Sequence, residues 1–159
     1  MANIDRFLTA QNRGRSFLNA KLEIDNGRKK SHWIWYIFPQ IDGMGRSGMA
    51  EKYAIANLSE ACEYLSNSSL LRRYQDILIS VNDKLTDHVD VVQLMGSHID
   101  ALKLTSSLTL FEAAAQYLSQ TKPQQNEFQQ FAILCSNTLN LLTNQGFPKC
   151  EYTLSKLPQ

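Results

Sequence analysis

Two stretches of this chain concentrate side chains able to do chemistry. The first runs Gly27-Arg28-Lys29-Lys30-Ser31-His32-Trp33-Ile34-Trp35-Tyr36-Ile37-Phe38-Pro39-Gln40, where basic residues lead straight into an aromatic segment bracketed by His32 and Gln40. Aromatic rings flanked by polar handles suit a flat ligand such as a base or a sugar; without a ligand the same rings are ordinary core material. The stretch continues into Gly43-Met44-Gly45-Arg46-Ser47-Gly48, formally G-x-G-x-x-G. A dinucleotide fingerprint needs a preceding strand and a surrounding βαβ unit, and the pattern here supplies neither. What remains is that glycines allow close backbone approach to a ligand, while Arg46 and Ser47 offer charge-assisted and hydroxyl contacts to an anion. The alternative is a tight loop in which Ser47 merely caps a helix from Met49 through Tyr53.

The second stretch, Ser97 to Phe111, can be wound as a helix at about 3.6 residues per turn. Ala101, Thr105, Glu112, Gln116 and Ser119 then share one stripe, expected to face water. Asp100, Lys103 and Ser107 fall roughly opposite, beside Leu104 and Phe111, so an acid, a base and a hydroxyl are predicted to point inward. An exposed Asp100–Lys103 pair would be worth only ~0.2–0.5 kcal/mol. Buried without partners, each charge would cost several kcal/mol, so an inward cluster calls for partners from elsewhere in the fold or for a wet pocket. A helix capped by Ser97 accounts for Asp100 in its first turn but not for a cation at Lys103.

The elements that must position these groups are helical almost throughout. Apolar spacing predicts a helix over about 13–26 with Gly27 at its C-cap, and Asn57 with Glu60 reads as a capping box. Ser68 or Ser69 is expected to cap the next helix. A short helix over 89–95 closes at Gly96, Ser97 caps a long one over about 98–119, and Pro123 breaks the pattern. A further helix runs from Phe128 to Gln145, with Gly146 at its end, and the tail adds a turn at Thr153-Leu154-Ser155. Trp33 to Phe38 reads equally as a strand or a buried helical turn, ended in either case by Pro39. The expectation is an all-α fold, a compact single-domain multi-helix bundle or orthogonal helical array over residues 1–159.

Composition narrows the function. Lys+Arg number 16 against 15 Asp+Glu, so the formal charge of +1 provides no general field for nucleic acid or an anionic membrane. The apolar run 33–38 is far short of the ~20 residues of a membrane span, and the N-terminus lacks a signal-peptide pattern. Cys62, Cys135 and Cys150 show no C-x-x-C spacing, which gives no support for a metal or a redox pair and fits a reducing, cytoplasmic setting.

Arg6-Phe7, Ala10-Gln11, Gly27-Arg28-Lys29, Ser31-His32-Trp33, Trp35, Ile37-Phe38-Pro39-Gln40, Gly43, Gly45-Arg46-Ser47, Tyr53-Ala54-Ile55 and Tyr64-Leu65 form a pattern together with Asp100, Lys103-Leu104, Ser106-Ser107 and Thr109-Leu110-Phe111. In these residues the chain resembles a mostly bacterial family, the domain of unknown function numbered 1810, sometimes labelled calpastatin-like. The resemblance implies a mainly α-helical fold and no established activity. It departs near the end, where Cys150 stands in place of the family's usual Asp, three residues before Thr153-Leu154.

The functional expectation is a small-molecule site for a phosphate-bearing or nucleotide-like ligand, with hydrolysis or glycosyl transfer as the reaction if it is an enzyme. Gly45, Arg46, Ser47 and Gln40 would line it, Trp33 or Trp35 would stack, Lys103, Ser106 and Ser107 would fix charge and hydrogen bonds, and His32 and Asp100 would be the acid–base candidates. No cofactor or metal is called for. The alternatives are a non-catalytic helical module for a protein partner and a buried polar network that only holds helices in register.

Overall fold

A computed structural model describes residues 3–158. Its helices are α1 (Asp5–Asn12), α2 (Ser16–Asp25), α3 (Ile34–Ile37), α4 (Gly48–Lys52), α5 (Leu58–Ser66), α6 (Ser68–Thr86), α7 (Val91–Met95), α8 (His98–Thr121), α9 (Asn126–Asn144) and α10 (Glu151–Lys156). A 3-10 turn, Arg13–Arg15, joins α1 to α2. Among the described residues no strand forms; backbone pairing is limited to an isolated parallel bridge between Ile41 and Ile55. The all-α class is as expected.

The long helix α8 is the axis. It packs against α9 and α5, and also touches α3, α7 and α10. That crowding overturns one expectation: Ala101, Thr105 and Glu112, assigned to the water-facing stripe, are buried. The polar members find partners inside. Thr105 and Thr109 donate to the carbonyls one turn back, at 3.0 and 2.8 Å, and Glu112 pairs with Lys149 Nζ at 2.7 Å. The water-facing residues include Ile99, Leu102, Gln116 and Tyr117.

Rings carry the centre of the core. Tyr64 and Tyr74 stand 5.0 and 5.1 Å from Phe111, Tyr74 also meets Phe131 at 5.3 Å and Phe38 at 5.4 Å, and Phe7 reaches Tyr64 at 5.2 Å. Each such pair adds about 0.5–1.5 kcal/mol to what area burial provides. The cluster ties α1, α5, α6, α8 and α9 to the segment after α3.

Caps follow the sequence with two corrections. Asn57 and Ser97 accept from the amides of Glu60 and Asp100 as expected, whereas Asp90, expected inside the helix over 89–95, stands outside α7 and caps it by accepting from Gln93 N. The cap of α6 is Asn67, accepting from Leu70 N at 3.1 Å, rather than Ser68 or Ser69. Asn67 is extended while Ser68 is already helical, and a cap residue must stand outside the helix. The sequence pattern did not anticipate α1. Arg6 anchors it, donating to Lys52 O at 2.9 Å and Ala54 O at 2.7 Å and pairing with Glu60 at 3.0 Å; it also donates to Asn3 O.

Segment 26–56 positions the candidate site. Trp33 to Phe38 resolves as a single helical turn, ended because Phe38 precedes Pro39 and leaves helical geometry. Ile55 N donates to Gln40 O and Asp42 N to Ile55 O, both at 2.8 Å, closing the excursion 42–54 at its base. α10 seals the other side: Tyr152 OH donates to Asp42 O at 3.1 Å, and a Cβ on Gly43, whose φ is +96°, would lie 2.0 Å from that hydroxyl oxygen.

Lys29 crosses the α7–α8 junction closely. Its amide donates to Leu94 O at 2.7 Å. A Cβ added to Gly96, at φ +84°, would lie 3.0 Å from Lys29 O. Gly96→Ala therefore combines a left-handed backbone with a contact against main chain, and is expected to cost about 1–3 kcal/mol. The check is the urea midpoint; an unchanged value would mean the crossing is not tight.

Candidate functional site

The 28–33 loop is organised by a residue that type and spacing did not single out, Glu23 on α2. Its Oε1 accepts from Lys30 N at 2.7 Å, Ser31 N at 2.9 Å and Trp33 Nε1 at 2.9 Å, and its Oε2 from Ser31 Oγ at 2.6 Å. Burial pushes this carboxyl's pKa up, but the bonds from Ser31, the Lys30 amide and Trp33 outweigh that and bring it from 4.5 down to about 2. The only hint in the sequence was two acids, Glu23 and Asp25, shortly before a basic run, which also describes a surface charge pair.

With the loop fixed, Lys29 and Trp33 come against α8. Lys29 Nζ sits 3.0 Å from Asp100 Oδ2, donates to Ser31 O at 2.6 Å and lies 4.9 Å from the centroid of a Trp33 ring. Lys103 Nζ lies 3.9 Å from Asp100 Oδ1 and 5.5 Å from a Trp35 ring centroid. Side-chain exposure rises from 7% at Lys29 through 17% at Asp100 to 26% at Lys103, so Lys29 is the better buried and better paired cation. Two ammonium groups around one carboxylate leave a net positive charge, carried on the outer side by Lys103.

The predicted residues therefore separate. Asp100, Lys103 and Trp35 meet as a cluster, with Lys29 added. Trp33 is 1% exposed and saturated at its N–H, so its face is occupied by Lys29 rather than open to a ligand. Ser107 points inward as expected, and so does the ligand candidate Ser106, but both into packing: Ser106 Oγ lies 3.1 Å from Thr153 Oγ1 and 2.8 Å from Met44 Sδ, and Ser107 Oγ lies 2.8 Å from Tyr74 OH. Gln40 Nε2 is 3.6 Å from Met44 Sδ. Ser47 caps α4, accepting from Ala50 N at 3.1 Å. Gly45 packs on α4, where a Cβ would meet Ala50 Cβ at 2.7 Å. Arg46 and His32 are exposed, and among the described residues neither hydrogen bond nor ion pair joins His32 to Asp100. The expected acid–base pair is thus not assembled, because Asp100 spends its oxygens on lysines.

Beside Trp35, residues Gln40, Gly43, Met44, Gly45, Ala50 and Tyr53 line a notch of about 10 Å³, room for roughly one water. No group of metal-ligating side chains is present among the described residues. None of the described helices is long and apolar enough to cross a membrane.

A family model described as a protein of unknown function, DUF1810, matches residues 1–141. The chain belongs to the DUF1810 family. Curated proteins provide no match. The chain is also similar to a solved structure, the conserved hypothetical protein Rv1873 from Mycobacterium tuberculosis, at 29% identity and a TM-score of 0.76, covering 97% of this chain and 95% of that one. Neither DUF1810 nor this relative brings an activity with it. The residues that carry the DUF1810 resemblance serve in large part to build the fold: Arg6 latches α1, and Gln11 donates to Tyr36 O at 2.9 Å.

Two outcomes test this geometry. Because folding lowers the Glu23 pKa, its stabilisation is complete above the unfolded value of 4.5 and is lost as pH falls toward about 2. Glu23→Gln is expected to remove about 1–2 kcal/mol at neutral pH, after discounting for solvent screening, and to flatten the acid limb of Tm against pH. An acid limb matching the parent's would refute the role. Asp100→Asn strands Lys29 without its anion and is expected to lower stability by about 1–3 kcal/mol by denaturant titration, even with no ligand present.

Proposed function

We propose that the outer edge of Trp35, between Lys103 and the Gly43–Ser47 loop, binds a planar anionic small molecule of the phosphate-bearing, nucleotide-like kind. The observation that carries this reading is the state of Lys103. Its ammonium is only loosely paired with Asp100, at 3.9 Å, and rests 5.5 Å from the Trp35 ring centroid. A phosphate is a stronger partner for it than that distant carboxylate. A base or aromatic ring has the half-buried Trp35 indole to stack upon. Arg46, exposed on the adjoining loop, adds a second cation within the same stretch.

Binding is better supported than catalysis. Among the described residues Asp100 is committed to lysines, His32 has no bond to it, and the Ser31 hydroxyl meets a carboxylate, Glu23, that is already taken up by the Lys30 and Ser31 amides and the Trp33 indole. A reaction such as hydrolysis or glycosyl transfer would need groups from the ligand or a rearranged loop. The notch of about 10 Å³ also sets a condition: a nucleotide-sized body needs the 42–54 excursion to swing outward.

One observation favours the second reading, a non-catalytic interaction module. An open groove of about 620 Å³ runs between α8 and α10, with Leu58, Ala113, Tyr117, Leu154 and Leu157 in its walls.

The chain has two tryptophans, and Trp33 is buried while Trp35 is half-buried, so a ligand-dependent change in the fluorescence of the unaltered chain reports on Trp35. Nucleotides, ADP-ribose and sugar phosphates are the probes. A ligand at 100 times its Kd should raise stability by ~2.7 kcal/mol and change Trp35 fluorescence. Lys103→Ala should weaken that ligand roughly tenfold. If no probe moves either signal, the reading fails and the α8–α10 groove becomes the surface to pursue.

A further inference from the structure

A separate crevice of about 330 Å³ opens where the turn between α1 and α2 meets α6. Gln11, Asn12, Arg15, Phe17, Leu18 and Arg73 line it, and none of these is acidic. Arg73 Nη1 donates to Gln11 Oε1 at 3.2 Å and Nη2 to Asn12 Oδ1 at 2.8 Å. Both partners are neutral amides, so they aim the guanidinium without cancelling its charge. Gln11 is itself locked, since its Nε2 donates to Tyr36 O at 2.9 Å and to Tyr64 OH at 3.2 Å, which fixes its carbonyl toward Arg73. Among the described residues neither Arg15 nor Arg73 forms an ion pair with a carboxylate.

The walls are apolar beneath that charge. Arg73 Cζ lies 5.9 Å from the centroid of the Phe17 ring, and Leu18 is 54% exposed. The patch thus joins guanidinium groups without carboxylate partners to exposed hydrocarbon, and burial of that hydrocarbon is favourable.

We propose that this crevice binds a small phosphomonoester carrying an apolar ring or short chain. The phosphate provides close to two negative charges above its second pKa of about 6, matching a pair of guanidinium forks better than a carboxylate does. The apolar body covers Leu18 and the edge of Phe17. The volume sits at the small end of ligand pockets, which suits a phosphorylated ring rather than a dinucleotide. The crevice shares no lining residue with the Trp35 notch, so it stands independently of the function proposed above.

The test uses the full chain titrated with phenyl phosphate, inorganic phosphate and phenol near neutral pH, followed by calorimetry and amide chemical shifts. Phenyl phosphate is expected to bind saturably and more tightly than inorganic phosphate, with shifts centred on residues 11–18 and 73, and phenol not to bind. Arg15→Asn keeps a residue that tolerates the left-handed conformation, φ +57°, while removing the charge. It should weaken binding roughly tenfold, as expected for losing a charge-assisted bond, whereas Lys103→Ala should leave it unchanged. Equal affinity in Arg15→Asn, shifts centred on Trp35, or inorganic phosphate binding as tightly as phenyl phosphate would each overturn the proposal.

Discussion

The arrangement of charge in this molecule depends on one carboxylate that faces no cation directly. Glu23 collects its hydrogen bonds from two backbone amides, a hydroxyl and an indole, all within residues 30–33. A loop bearing Arg28, Lys29 and Lys30 repels itself and has no regular backbone ladder to hold it. An acceptor that satisfies its amides replaces the missing ladder. Once that loop is set, Lys29 has one direction to go, across the α7–α8 junction and onto Asp100. Asp100 in turn defines how much attraction is left for Lys103. The outermost cation is loosely held because the innermost is well held.

This ordering explains why a polar cluster persists beside a large aromatic core. Buried ion pairs contribute little stability on their own account, since desolvation offsets most of the attraction. Here the two ammonium groups lie over indole rings, whose negative faces give them a favourable electrostatic neighbour where water is partly removed. The same geometry holds α2, the aromatic segment and α8 together with few direct helix-to-helix contacts among them. Elsewhere registry is kept by hydroxyl pairs such as Tyr74–Ser107 and Ser106–Thr153, which are satisfied within the core.

Much of the fold was legible from local pattern. Asn57, Ser97, Gly96 and Gly146 act where their types suggested, because caps and left-handed glycines are decided by a few neighbouring residues. The helical wheel turned Asp100 and Lys103 inward, the cost of unpaired charge called for a partner from elsewhere in the fold, and for Asp100 that partner is Lys29. Periodicity misassigned Ala101, Thr105 and Glu112, since a wheel assumes one wet face and α8 has neighbours almost all round. Glu23 escaped because half of its donors are main-chain amides, which leave no mark on residue types, and the Ser31 hydroxyl and Trp33 indole carry no charge that would pair with it in the sequence. Trp33 and Ser107 were right as inward-facing residues, but type and spacing cannot distinguish a pocket wall from a packed interior. The tail, read as a bare turn, is a helix because Thr153 and Tyr152 find partners on α8 and the Gly43 loop.

The hydroxyl of Tyr152 and the carbonyl of Asp42 are separated by 110 positions in the chain. During synthesis the ribosome therefore exposes the glycine-rich excursion long before the residue that seals it exists. The front of the molecule must wait in an unsealed form while α5 to α9 emerge. Any helper that protects the unfinished protein has that interval in which to act.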